Sequence, residues 1–153
     1  MPYSIDTSGF LDAWVRNYPV DVFPSIWDQM DRAARDGTLL ASDEVLRELE
    51  RKDDGAHIWM KDRAEMLVAL DPEVERHVRE IMTRYPRLVD TRKGRSGGDP
   101  FVIGVARFRN LVVITAENAT GKLDSPRIPD VCADLGIRSI RMLEFFREQK
   151  WVL

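Results

Sequence analysis

Apolar residues change their spacing repeatedly along the chain, and the changes mark an alternation of strands and helices. Tyr3 to Asp6 read as a short strand, after which Phe10, Leu11, Trp14, Val15 and Tyr18 recur along one helix face. A second helical pattern follows Pro24, with Ile26, Trp27, Met30 and Ala33 on one side. Gly37 closes it, and Thr38 to Ser42 form strand two. Ser42 and Asp43 suit the cap of a helix that turns Val45, Leu46 and Leu49 inward and ends in the polar stretch Arg51 to Gly55. One helical region is predicted from Ala56 to Leu70. Asp71-Pro72 start another helix, striped by Val74, Val78, Ile81 and Met82 and stopped by Pro86. Leu88 and Val89 predict a brief strand before a basic, glycine-rich loop, Thr91 to Gly98.

Asp99-Pro100 repeat the capping pattern and open a helix with Phe101, Val102, Val105, Ala106 and Phe108 as its apolar residues. Leu111 to Thr115 is a buried strand and Asn118 to Pro129 a polar loop. A short helix through Val131 and Leu135 leads to a last strand, Ile137 to Ile140, and a last helix through Leu143, Phe145 and Phe146. This order predicts an α/β fold, a three-layer α/β/α sandwich around a central, mostly parallel sheet. Right-handed crossovers then bring all strand C-termini to one edge, where function is to be sought. There is no internal repeat and no low-complexity linker.

The length of 153 residues fits one domain, residues 1–153, and a chain that is 44% hydrophobic and 32% charged has the balance of a globular protein. Cys132 is the only cysteine, which excludes an internal disulfide and a cysteine-held zinc and fits a reducing cytoplasm. The N-terminus lacks a basic start followed by an apolar run. No stretch approaches the roughly 18 apolar residues that a membrane span needs. The formal charge of −3 argues against a broad basic nucleic-acid face, although two bound divalent cations would reverse its sign at the site itself.

Three acids fall where such a sheet gathers them. Asp6 ends strand one, Asp99 opens the helix after the basic loop, and Glu117 lies just past the strand Leu111 to Thr115. Glu48 is a fourth, early in the helix after strand two. Glu44 sits one turn before it, so one of the two should point inward. Clustered carboxylates repel, by about 4 kcal/mol per pair at roughly 4 Å and an effective dielectric near 20. Mg2+ or Mn2+ relieves this, since both are hard cations that prefer oxygen, and a pair of them supports phosphodiester hydrolysis. His57 and His77 have no metal-ligand spacing.

The segments Tyr3-Ser-Ile-Asp-Thr-Ser-Gly-Phe, Val45-Leu-Arg-Glu-Leu, Gly98-Asp-Pro-Phe-Val-Ile-Gly-Val-Ala and Val112-Val-Ile-Thr-Ala-Glu resemble, in order and spacing, the motifs of the PIN-domain nuclease family. The closing Ile128-Pro-Asp-Val-Cys and Gly136-Ile resemble its bacterial VapC-type, toxin-like subfamily. The resemblance implies a PIN-like fold and an Mg2+- or Mn2+-dependent endoribonuclease with Asp6, Glu48, Asp99 and Glu117 as catalytic, metal-binding acids. Many relatives carry aspartate at the last place, so Glu117 is either a direct or a water-mediated ligand. Thr7 and Ser8 resemble hydroxyls that steady metal-bound water or an acidic neighbour. Thr115 is a candidate for the same task and Asp130 for an auxiliary acid. RNA is the implied substrate, and an antitoxin protein and a homodimer are the implied partners.

Other readings compete. Asp99 equally suits a plain helix cap, and Glu48 a surface pair with Lys52. Arg92, Lys93 and Arg95, beside Gly94, Gly97 and Gly98, either steer an RNA phosphate backbone or form an ordinary solvated loop. Trp14, Trp27 and Trp59 read as core or interface residues, and Cys132 as buried. For the whole chain the alternative is a noncatalytic PIN-like module that binds RNA or protein. A phosphotransferase with Asp6 as nucleophile fits less well, because the haloacid-dehalogenase pattern needs an aspartate where Ser8 stands.

Overall fold

The computed structural model describes residues 2–89 and 97–153. Its sheet has five parallel strands, β1 (Tyr3–Ile5), β2 (Leu39–Ser42), β3 (Leu67–Val68), β4 (Val112–Ile114) and β5 (Ser139–Ile140), in the order β3-β2-β1-β4-β5. β1 is central, pairing Tyr3 with Leu39 on one side and with Val112 on the other. All residues of β1, β2 and β4 are buried, the signature of strands covered on both faces. The chain runs outward from β1 to β3, then returns to the opposite flank of β1. The strand order therefore reverses between β1 and β4, where open α/β sheets place their ligand crevice.

Helices α1 (Thr7–Leu11), α2 (Pro24–Arg35), α3 (Asp43–Lys52) and α4 (Asp54–Lys61) belong to the β1-to-β3 crossovers, and α5 (Pro72–Arg84), α6 (Asp99–Arg109) and α7 (Ile128–Leu135) to the return. Right-handed connections put these groups on opposite faces, completing three layers. Ser4, pointing opposite to Tyr3 and Ile5, donates its hydroxyl hydrogen to Val102 O of α6 at 3.2 Å. Tyr3 meets Phe145 of α8 (Met142–Glu148) edge-on at 4.8 Å. Gly104 lets α6 lie close to α5, since a Cβ there would stand 2.8 Å from Val78 Cγ2.

Phe10 anchors the first face, with Trp27 and Trp59 both 5.5 Å and Trp14 6.1 Å from its ring. Trp27 and Trp59 are core residues, and Trp14 packs partly buried against the core. Each such ring contributes about 2 kcal/mol or more on burial, and Trp27 also donates Nε1–H to Tyr18 O at 2.6 Å. Beyond Leu11 the first helix widens into a π-helical turn, Asp12–Asn17.

Three elements differ from the sequence pattern. The helix predicted from Ala56 to Leu70 ends at Lys61, because Arg63 leaves the helical path. Its guanidinium lies 4.0 Å over the Trp59 ring and donates to Trp59 O at 2.8 Å and to Asp31 at 2.7 Å. A short 3-10 turn, Ala64–Met66, and β3 follow, and two strand residues are too few to show an alternation. Leu88 and Val89 lie in a turn rather than a strand. Leu88 N donates to Tyr85 O at 3.1 Å and the side chain is fully buried. Asp99 is the first residue of α6, and Gly98, not Asp99, holds the cap position. No helix among the described residues is long and apolar enough to cross a membrane.

Candidate metal centre

β1 ends at Ile5, and the chain turns at once into α1, which makes Asp6 its N-cap. An acid suits that place, because the first helical N–H groups lack partners. Gly9 N–H donates to Asp6 Oδ1 at 2.5 Å. Ser8 Oγ–H donates to the same carboxylate, 3.0 Å from Oδ1 and 2.8 Å from Oδ2, and Thr115 Oγ1–H reaches Oδ2 at 2.7 Å from the end of β4. Gly9 leaves room for this approach. A Cβ there would lie 3.0 Å from Asp6 Oδ1 and 3.1 Å from Ile114 O.

Asp99 comes from the opposite layer, at the N-terminus of α6. Glu117 follows β4, and its N–H donates to Thr115 Oγ1 at 3.1 Å. One carboxylate oxygen from each of Asp6, Asp99 and Glu117 lies within 4.8 Å of the others. Glu48 borders this group from α3. It is buried, accepts from Thr7 Oγ1–H at 3.2 Å, and its charge acts on Asp99. Glu44 instead forms a surface ion pair with Arg47, so Glu48 is the inward acid of the two. The reading of Glu48 as a solvated helix residue does not hold.

Burial is the main force on these acids. It pushes Asp6 up to about 7 against the donors Thr115, Gly9 and Ser8, with the charge of Glu117 adding to the rise. Asp99 is held well above the ordinary carboxylate range, by burial first and then by Glu117, Asp6 and Glu48, with Lys52 opposing. Cys132, fully buried beneath the site, is raised to about 12 by burial and by the charges of Asp6 and Glu117, which leaves it an inert thiol. Without protons or a cation the three carboxylates repel one another. Their donor set is all oxygen, the preference of a hard divalent ion, so the residues present fit Mg2+ or Mn2+.

Several expected residues stand elsewhere or do other work. Asp130 lies outside the three-acid group. Its carboxylate accepts from the N–H groups of Thr120, Gly121 and Arg127 and from the Thr120 hydroxyl at 2.8–3.1 Å, clamping the loop that follows Glu117. Every donor belongs to that loop, so in this structure the Asp130 carboxylate acts as a loop clamp. Ser8, Thr7 and Thr115 each bind an acidic neighbour directly. Arg92, Lys93 and Arg95 lie outside the described residues. His77 packs against Phe108, and His57 Nδ1 lies 3.3 Å from Leu46 O. The nucleophile reading of Asp6 meets a carboxylate whose two oxygens already accept from three donors, Ser8, Gly9 and Thr115.

Sequence reasoning gave no role to Gly9 and missed a cavity of about 400 Å³ beside Glu117, lined among others by Arg16, Lys52 and Arg127. The signal for its wall was present, since Ser8, Leu11, Asp12, Val15 and Arg16 have the spacing of one helix face.

The fold is similar to two solved structures. The crystal structure of VapBC2 from Rickettsia felis bound to a DNA fragment from their promoter is 16% identical, over 76% of this chain and 88% of that one, with a TM-score of 0.51. FitAcB from Neisseria gonorrhoeae is 12% identical, over 91% of this chain and 96% of the other, also with a TM-score of 0.51. At these identities the likeness is one of fold, and it is the PIN-like, VapC-type fold that the motifs implied. No curated protein sequence matches the chain. The sequence pattern of one family matches residues 3–153, nearly the whole length, and the chain belongs to that family, described as a domain of unknown function (DUF4411).

Proposed function

We propose that this protein is a metal-dependent endoribonuclease that hydrolyses RNA phosphodiester bonds at the crevice between β1 and β4. The reading is carried by one observation: three carboxylates from three elements converge within 4.8 Å at the switch point of a PIN-like fold. Asp6, Asp99 and Glu117 would hold Mg2+ or Mn2+, with Glu48 at the border as a further ligand or an acceptor for metal-bound water. Bound divalent ions lower the pKa of water and neutralise charge on the phosphate and its leaving oxygen. The chain does the positioning. Ser8, Gly9 and Thr115 fix the plane of the Asp6 carboxylate, Thr7 orients Glu48, and Asp130 fixes the loop behind Glu117.

The likeness in fold to VapBC2 and FitAcB, together with the VapC-type resemblance of the motifs, supports the further reading of this chain as the toxin-like component of a toxin–antitoxin pair, acting in the cytoplasm. An antitoxin would block the acidic crevice, and a homodimer remains part of the proposal. The test is cleavage of single-stranded RNA in Mn2+ by the purified chain and by Asp6→Asn and Asp99→Asn. Both variants are expected to lose activity by at least about a hundredfold, with unchanged circular dichroism. Undiminished cleavage by both would overturn the assignment.

One observation favours a second reading. Glu117 Oε1 accepts from Ile128 N–H at 3.3 Å, and Oε2 lies 3.8 Å from Arg127 Nη1, so this acid already has partners. If they outcompete a cation, the chain is a noncatalytic PIN-like module that binds RNA or protein. Absence of Mn2+ binding in calorimetry with retained RNA binding would distinguish it.

A further inference from the structure

The cavity at Glu117 is built from four separate parts of the chain, one of them Ala116 and Glu117 after β4. One helical face, carrying Leu11, Asp12, Val15 and Arg16, forms a wall, Lys52 enters from the end of α3, and Arg127 from the loop before α7. The first helix winds as a π-turn over Asp12–Asn17, a form that recurs at functional sites, and this turn supplies most of the wall. At about 400 Å³ the cavity is large enough for a small-molecule group, and it opens on the metal-binding acids through Ser8 and Glu117.

Its chemistry is divided. Leu11 is half-buried and Val15 is 54% exposed, which gives an apolar strip that suits a sugar or base face. Arg16, Lys52 and Arg127 supply three positive charges around it, against the two carboxylates Asp12 and Glu117, the second of which faces the metal-binding acids. Asp12 also lines the cavity, and its carboxylate is partly engaged, accepting from Asn17 Nδ2 at 2.8 Å and lying 3.8 Å from Arg16 Nη1. Arg127 is likewise held 3.8 Å from Glu117. Neither ion pair has the short, bidentate geometry that would occupy an arginine fully, so both guanidinium groups keep donors for an anion.

We propose that this groove is a phosphate-backbone subsite for single-stranded RNA, in which Arg16, Lys52 and Arg127 grip phosphates flanking the one at the metal centre while Leu11 and Val15 support the intervening sugar or base. The proposal rests on the ribonuclease reading for the identity of the ligand. The groove explains how a chain of net charge −3 holds a polyanion: a local cluster of three cations beside a cation-loaded site replaces a broad basic face. Single-stranded RNA is favoured over a duplex, because a cavity of this size takes one flexible strand and not a rigid helix.

Fluorescence anisotropy of the full chain with a short, labelled, mixed-sequence single-stranded RNA, run in Ca2+ over a range of salt, reads the subsite directly. Replacing Arg16, Lys52 and Arg127 together by Gln should weaken binding at least about tenfold and reduce the slope of log K against log salt by roughly 2, at about 0.7 per lost contact. Arg16→Gln alone, on an exposed side chain that leaves the fold undisturbed, should lower the slope by roughly 0.7 and raise KM for cleavage with little change in kcat. Unchanged affinity and slope in the triple variant would overturn the proposal. So would a triple variant that binds RNA normally but loses binding of polyglutamate, since the groove would then serve an acidic protein segment. If Mn2+ neither binds nor supports cleavage while the slope still falls, the nuclease reading fails and the subsite stands.

Discussion

Asp6 and Asp130 are both buried aspartates whose carboxylates gather several donors, and their environments move them in opposite directions. Asp130 faces the backbone of a polar loop. Burial raises it somewhat, but the N–H groups of Thr120, Arg127 and Gly121 outweigh that, and its pKa falls below the ordinary value. Asp6 takes a comparable set from Thr115, Gly9 and Ser8 and still rises to about 7, because it is enclosed and shares its space with Glu117. Hydrogen bonds alone do not make a reactive acid. The difference lies in complete burial next to like charge, which turns one carboxylate into a cation trap and leaves the other a loop clamp.

The sharpest way to test this contrast is to neutralise one acid at each place. Asp99→Asn removes like charge from the cluster, so at pH 8 the metal-free protein should gain about 1–3 kcal/mol of stability while losing its Mn2+ binding. Asp130→Asn leaves loop N–H groups short of an acceptor, and should cost about 1–3 kcal/mol while retaining the metal. Urea melts and calorimetry read both. Destabilisation by Asp99→Asn together with stabilisation by Asp130→Asn would reverse the account.

The positions of Asp6 and Glu117 were legible in the sequence because βα alternation fixes where strand ends gather, whereas Asp99, with no strand leading into it among the described residues, was legible from the Asp99-Pro100 helix start and the motif around it. The choice between Glu44 and Glu48 was not, since both lie one turn apart on the same helix. It is settled by Thr7, a residue from another element. The loop hydrogen bonds of Asp130 were not legible, because its donors are mostly backbone N–H groups, which leave no mark in side-chain spacing. The small β3 strand escaped for a related reason, as an arginine stacking on Trp59 ends the preceding helix early. Gly9 and the groove of Arg16, Lys52 and Arg127 depend on contacts between segments far apart in the chain, so local pattern could not assemble them.

A smaller effect comes from pH. A carboxyl raised in the folded state binds its proton more tightly there than when unfolded, so its contribution is most favourable below about pH 4 and is lost as pH rises toward about 7. Asp130, Asp31 and Glu148, all lowered, contribute above their ordinary range and lose that contribution only in more acid solution. His77, also lowered, adds stability as pH rises to its ordinary 6.5 and opposes the trend of the raised acids, Asp6 and Asp99. The difference between wild type and Asp99→Asn cancels these groups. Without metal, the wild type should lose stability relative to the variant between pH 5 and pH 7.5, and Mn2+ should reverse the trend. A difference that shrinks with rising pH in EDTA would contradict the assigned shifts.

The central claim is the convergence of acids on a cation, and crystals soaked in Mn2+ and measured for anomalous scattering test it most directly. The account predicts a manganese peak bridging the carboxylates of Asp6, Asp99 and Glu117 at the C-terminal edge of β1 and β4, with Glu48 beside it. A crevice free of manganese at millimolar metal and neutral pH, with Glu117 still held by Ile128 N–H and Arg127, would contradict it and leave the chain a PIN-like binding module.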